Sequence, residues 1–149
     1  MRGFFNAITG NHIINVSVAA FFIAQGLKML VYVIQYRKFE WSRVFGSGGM
    51  PSSHAATVCA LTVTVGRDSG MSTPQFAVAF VLAIIVMYDA SNVRRSAGQH
   101  AQVLNYIMDN WHEKSSPKIF DKDLKELLGH TPFQVLCGAI LGVALGFLL

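Results

Sequence analysis

Apolar residues in this chain run in long blocks. Four stretches stand out, at residues 12–34, 52–65, 74–88 and 132–149. A membrane-crossing helix needs ~20 consecutive apolar residues, so the first is ample and the fourth adequate. The second and third are short. They cross only by continuing through flanking Ser, Thr and Gly, or by packing inside a bundle. Ser72 or Thr73 ahead of Pro74 forms a cap-then-proline helix start. The segment 91–111 differs in kind. Val93, Ala97, Ala101, Leu104, Met108 and Trp111 recur every three or four residues, while Arg94, Arg95, Gln99, Gln102, Asn105 and Asp109 lie off that stripe, which predicts an amphipathic helix. No proline separates it from the third stretch, so one long helix is expected to leave the membrane and continue over its surface. Residues 114–125 are polar, with Pro117 and a short helix candidate from Asp121. The fold class expected is an all-α integral membrane protein. It is a four-transmembrane-helix bundle with an amphipathic extension of the third helix, forming a single domain over residues 1–149.

Composition agrees. Of 149 residues, 52% are hydrophobic and only 13% charged, against about 25% charged in soluble domains. No cleavable signal peptide is expected, because residues 1–10 hold one Arg and no long apolar core. Cys59 and Cys137 both fall in apolar stretches and read as reduced packing residues. If all four stretches cross, residues 35–50 and 89–129 share one face with Arg37, Lys38, Arg43, Arg94, Arg95, Lys114, Lys118, Lys122 and Lys125. The other face keeps Arg2 and Arg67. The positive-inside rule then makes this a multi-pass cell-membrane protein with the nine-cation face in the cytoplasm.

Two histidines mark that face. Gly48-Gly49-Met50-Pro51-Ser52-Ser53-His54 opens the second stretch, and Gly129-His130-Thr131-Pro132 opens the fourth. A helix start offers unpaired N–H groups and a positive dipole end, which favour phosphate. Two such starts, each with a histidine, suggest phosphoryl chemistry on a lipid-borne substrate. His12, His100 and His112 lack metal-ligand spacing, so no metal or other cofactor is expected. Partners expected are a phosphorylated lipid and the surrounding membrane lipids, with no nucleic acid. Gly138, Gly142 and Gly146 form a small-residue stripe that permits close helix approach. Internal packing is the favoured use, and a homodimer seam the other.

The runs G-G-M-P-S-S-H, V-R-R-S-A-G and G-H-T-P-F-Q-V-L-C-G-A-I-L-G resemble the divergent small membrane branch of the type-2 phosphatidic acid phosphatase and vanadium haloperoxidase superfamily. The resemblance covers nearly the whole chain. It implies a metal-independent phosphatase of a lipid or isoprenoid phosphate. In that pattern the last His attacks phosphorus, the His of P-S-G-H protonates the leaving group, and cations hold the phosphate. Carried over, Pro51, Ser52, Ser53 and His54 match P-S-G-H with Ser for Gly, and His130 matches the attacking His. Lys28 matches the first Lys. The family's Arg-Pro is missing, leaving Arg37 or Arg43 as substitutes. No S-R pair precedes His130, where Leu124 holds the expected Arg position, so Arg94 or Arg95 is the better cation. The Asp that should orient the nucleophile is Gln134.

A glutamine carbonyl accepts the imidazole N–H bond but does not stabilise an imidazolium as a carboxylate does. Asp89, Asp123 or Glu126 are then candidates for the missing charge. Thr131-Pro132-Phe133-Gln134 is also a capping-box pattern, so Gln134 has a purely structural use. Likewise Lys28 fits a snorkelling lysine, and Arg94 and Arg95 fit headgroup contacts. The rival functions are a catalytically weak lipid-phosphate binding or transport protein, and a structural membrane subunit.

Overall fold

Each helix begins where the chain supplies an oxygen for its orphan amides. In the computed structural model, which describes residues 10–39, 49–110, 124 and 129–149, Asn11 caps α1 (His12–Tyr36) by accepting Ile14 N–H. Ser52 caps α2 (Ser53–Asp68), and Thr73 followed by Pro74 caps α3 (Pro74–Tyr88). A five-residue π turn, Asp89–Val93, carries α3 without a break into α4 (Arg94–Asn110). Thr131 opens α5 (Pro132–Leu148), with Pro132 in its first turn. The described residues form helices and no strand. Two helical rods, His12–Tyr36 and the joined Pro74–Met108, are long and apolar enough to cross a membrane; α5 is a shorter apolar helix.

Small residues set the packing. The central helix is α2, which rests on α5, α1 and α3. It buries Ala55, Ala56, Ala60 and Thr64 completely. Val16 and Ala20 of α1 meet Ala60, with Leu145 and Leu149 against them. On α5, Gly138, Gly142 and Gly146 are buried against α2. A Cβ at Gly138 would run into the Ser52 carbonyl, one at Gly142 into the Ala56 carbonyl, and one at Gly146 would sit 2.8 Å from Val63 Cβ. The glycine stripe is therefore spent inside the chain, letting two backbones approach as closely as small-xxx-small packing allows.

Hydroxyls on α2 return their bonds to the helix. Thr57, Thr62 and Thr64 donate to carbonyls four residues back, and Thr62 also reaches Ala79 O on α3 at 3.1 Å. The outer rod is apolar toward its surroundings: α3 buries only Ala79 and Ala83 while Val78, Val81, Ile84 and Ile85 are exposed. Arg67 donates to the Gly146 and Phe147 carbonyls, tying the end of α2 to the end of α5. Cationic donors are favourable at a helix C-terminus, where carbonyls lack amide partners.

On α4 the stripe is open at Val93 and Leu104 and buried at Ala101. The other buried positions among the described residues are Gly98 and Asn105. Asn105 donates to Leu124 O and accepts Leu124 N–H, both at 3.0 Å. Backbone laid over a helix needs a polar partner, which this buried amide supplies. Trp111 and the helix candidate from Asp121 lie outside the described residues.

Candidate functional site

Two turns, each closed by a glycine with positive φ, lay the histidines side by side. Gly49 (φ +86) stands five residues before His54, and Gly129 (φ +84) directly precedes His130. Only glycine adopts such angles at little cost. Gly129 also needs the space: a Cβ there would meet the backbone N of Arg95 and lie 2.7 Å from its Cα. That close approach docks the second turn on the start of α4. The π turn completes the seat. Arg94 N–H bonds to Asp89 O, five residues back, and the carbonyl of Ala90 accepts His130 N–H at 2.9 Å. The two turns are also stapled to each other, because Ser52 N–H donates to Gln134 O at 3.1 Å.

The His54 and His130 ring centroids are 6.3 Å apart with planes at 64°. His130 is 2% exposed. Its Nδ1 lies 3.1 Å from Gly49 O and 3.3 Å from Gln134 Oε1. Among the described residues its buried Nε2 meets no hydrogen-bond partner, and neither does Nδ1 of His54. Gln134 does two jobs at once. Its Oε1 accepts Thr131 N–H at 3.1 Å while its own N–H bonds to Thr131 Oγ1, a full capping box.

Cations approach from two sides. Lys28, on α1 and only 7% exposed, lays its stem against Gly49, where a Cβ would fall 3.2 Å from Lys28 Cγ. Its charge acts on both histidines. Arg94 acts on His54 alone, and its Nε bonds to Asp89 Oδ2 at 2.6 Å. Burial holds His130 below the ordinary imidazole range, and the Lys28 charge adds to this. The Gln134 bond works in the opposite direction. His130 is thus neutral at pH 7, the form that carries a lone pair.

The remaining candidates are placed as follows. Ser52 is fully buried and its Oγ accepts Ala55 N–H at 3.4 Å as the α2 cap. Ser53 is buried in the first turn of α2. Arg37 sits exposed at the end of α1, about two and a half turns beyond Lys28. Arg95 is exposed on α4. Asp89 is taken by Arg94. Arg43, Asp123 and Glu126 lie outside the described residues, as does His112. His12 is at the far end of α1, 3.9 Å from Asp68. His100 is exposed on α4. Sequence reasoning missed the two main-chain acceptors. The Gly48-Gly49 pair was a signal for a turn; nothing in the sequence announces the Ala90 carbonyl.

The model of the Divergent PAP2 family matches residues 9–145. A relative from Bacillus subtilis (strain 168), the uncharacterized membrane protein YuiD, is 41% identical over 142 residues, covering 89% of this chain and 90% of the relative. No solved structure matches the chain.

Proposed function

Because the chain belongs to the divergent PAP2 family, we propose that it is a multi-pass membrane phosphatase that removes phosphate from a lipid or isoprenoid phosphate through a histidine nucleophile, without a metal. One observation carries the reading: two buried histidine nitrogens with no hydrogen-bond partner among the described residues stand on rings 6.3 Å apart, under the charge of Lys28 and Arg94.

The chemistry runs in two halves. The His130 Nε2 lone pair attacks phosphorus, the P–O bond to the lipid alcohol breaks, and His54 gives its proton to the departing oxygen. Water then attacks the phosphohistidine, His54 takes the proton back, and inorganic phosphate leaves with the P–N bond broken. Phosphoryl transfer depends chiefly on positioning and on fixed positive charge, and Lys28 with Arg94 supplies it. Ser52, Ser53, Arg95, Arg37 and Arg43 are the further phosphate-binding candidates. The helices cross the bilayer with the histidines on the cytoplasmic face, the side to which the positive-inside rule assigns the basic loops.

Phosphate release from lipid phosphates in mixed micelles, measured for wild type, His54→Asn and His130→Asn, tests the reading. General acid–base and nucleophilic groups each contribute about 10²–10⁴-fold, so both variants should lose at least about 100-fold. An acid-labile phosphoenzyme should vanish in His130→Asn. A second reading has its own support in Gln134, which stands where a carboxylate is expected: lipid-phosphate binding or transport with weak turnover. Bound lipid phosphate with no phosphate release in any variant would select it.

A further inference from the structure

A histidine attacks through one nitrogen only if its proton sits on the other, so something must hold that proton in place. A neutral imidazole has one donor and one acceptor nitrogen. Around Nδ1 of His130 the described residues present two oxygens, Gly49 O at 3.1 Å and Gln134 Oε1 at 3.3 Å. Both are acceptors. The amide of Gln134 is not free to turn its nitrogen inward, because Thr131 N–H needs Oε1 at 3.1 Å to close the capping box. Oε1 therefore divides its lone pairs between two donors at the longer distance. The Gly49 carbonyl is a main-chain group that no side-chain change removes. Its direction is fixed by the left-handed turn at φ +86 and by the Lys28 stem packed beneath it.

We infer that the main-chain carbonyl of Gly49 is the positioning group of the nucleophile, holding His130 in the Nδ1–H form and leaving Nε2 bare, with Gln134 serving first as the cap of α5. This deepens the phosphatase reading and rests on His130 being its nucleophile. It explains how the site dispenses with a carboxylate at position 134. The turn that carries His54 also orients the other histidine, so the two motifs form one device. The Ser52 N–H to Gln134 O bond keeps their register.

The tautomer is directly observable. In protein labelled with ¹⁵N-histidine in detergent, with the His130 signals assigned by their loss in His130→Asn, Nδ1 should resonate in the protonated range and Nε2 in the unprotonated range. Gln134→Ala should leave that pattern in place and keep turnover within about tenfold of wild type, since the attacking nitrogen stays bare. A second variant covers the case in which Gln134→Ala fails to fold. Replacing Met50 by its α-hydroxy analogue turns the Gly49 carbonyl into an ester carbonyl, a weaker acceptor, and should mix the two tautomers. A wrong tautomer in a serine-protease triad costs about 10⁴-fold in kcat, so turnover in the ester variant should fall at least about 100-fold. A proton found on Nε2 in wild type, a shift of the proton to Nε2 in Gln134→Ala, or an unchanged pattern in the ester variant would each overturn the inference. Because the signals need no turnover, an Nδ1–H pattern in a protein that releases no phosphate would sink the phosphatase reading while leaving the Gly49 bond intact.

Discussion

At His130 a single ring meets influences of opposite sign, and its chemistry depends on their balance. Burial and the Lys28 charge push the imidazole toward neutrality, while the bonds to Gln134 and to the Gly49 carbonyl favour its protonated form. Gln134→Glu adds a negative charge at the same place and keeps a capping-box residue. It should move the acid limb of the phosphatase pH profile upward and raise turnover above that limb, by stabilising the imidazolium formed during transfer. Gln134→Ala should move the limb downward, and loss of the cap should cost roughly 1 kcal/mol of stability. Rate–pH profiles beside thermal melts of the three proteins check both; unchanged profiles would confine Gln134 to the cap. The arginines separate in the same way. Of the two arginines it is Arg94 whose charge reaches His54, so Arg94→Lys should lower turnover by about tenfold with little change in melting, because the guanidinium fork is lost while the charge stays. Arg95→Lys should behave like wild type. Equal loss in both variants would mean that the phosphate is held by the pair.

At the level of elements, the contact between α2 and α5 decides whether the two histidines meet. Gly142 lies under the Ala56 carbonyl, and even one methyl there has no room. Gly142→Ala should therefore push the helices apart, cost about 1–3 kcal/mol and lower turnover together with melting temperature. Gly26, inside α1, has nothing within 4 Å of its Cβ position. Gly26→Ala should raise stability by roughly 0.5–1 kcal/mol through helix propensity, with unchanged turnover. Thermal unfolding in detergent for both variants distinguishes close packing from a general intolerance of change at glycine. The π turn belongs to this scale as well, since it aligns the Ala90 carbonyl with His130 and places Asp89 beside Arg94.

For the whole molecule, α1 and α2 run in opposite directions: Lys28 lies under Gly49 at one end and His12 near Asp68 at the other. The site therefore occupies one end of the bundle. With the histidine end in the cytoplasm, a cysteine placed at Arg37 should react with an impermeant maleimide only after cells are opened, and one at Met71, exposed in the turn before α3, should react in intact cells. The reverse pattern would invert the orientation. Stability should also depend on pH. His130 is held below its ordinary value in the fold, so the unfolded chain binds its proton first as pH falls. Stability is then complete above about pH 6.5 and declines as pH drops from there through the lower folded value. His130→Asn should flatten that decline in melting temperature between pH 7 and 5; an equal decline in both proteins would place the sensitive group elsewhere.

The four apolar blocks, their caps and their proline starts determined the helices almost to the residue, because capping and hydrophobic block length act within one or two turns of chain. The break-free passage from the third block into segment 91–110 was legible for the same reason: nothing in it stops a helix. The family motifs singled out His54 and His130, and their positions at two helix starts implied a shared end of the bundle. Only the tertiary structure decided what each side chain does there. Asn105 faces inward because a distant backbone segment at Leu124 needs partners. The glycine stripe faces α2 because backbone carbonyls, which have no letter in the sequence, fill the space a side chain would need. The acceptors of His130 Nδ1 and of its main-chain N–H are carbonyls 81 and 40 positions away, at Gly49 and Ala90. A main-chain carbonyl is present at every residue, so the pattern of side chains cannot say which one is aimed at the site; that direction is set by the two glycine turns and the π turn after the helices have packed.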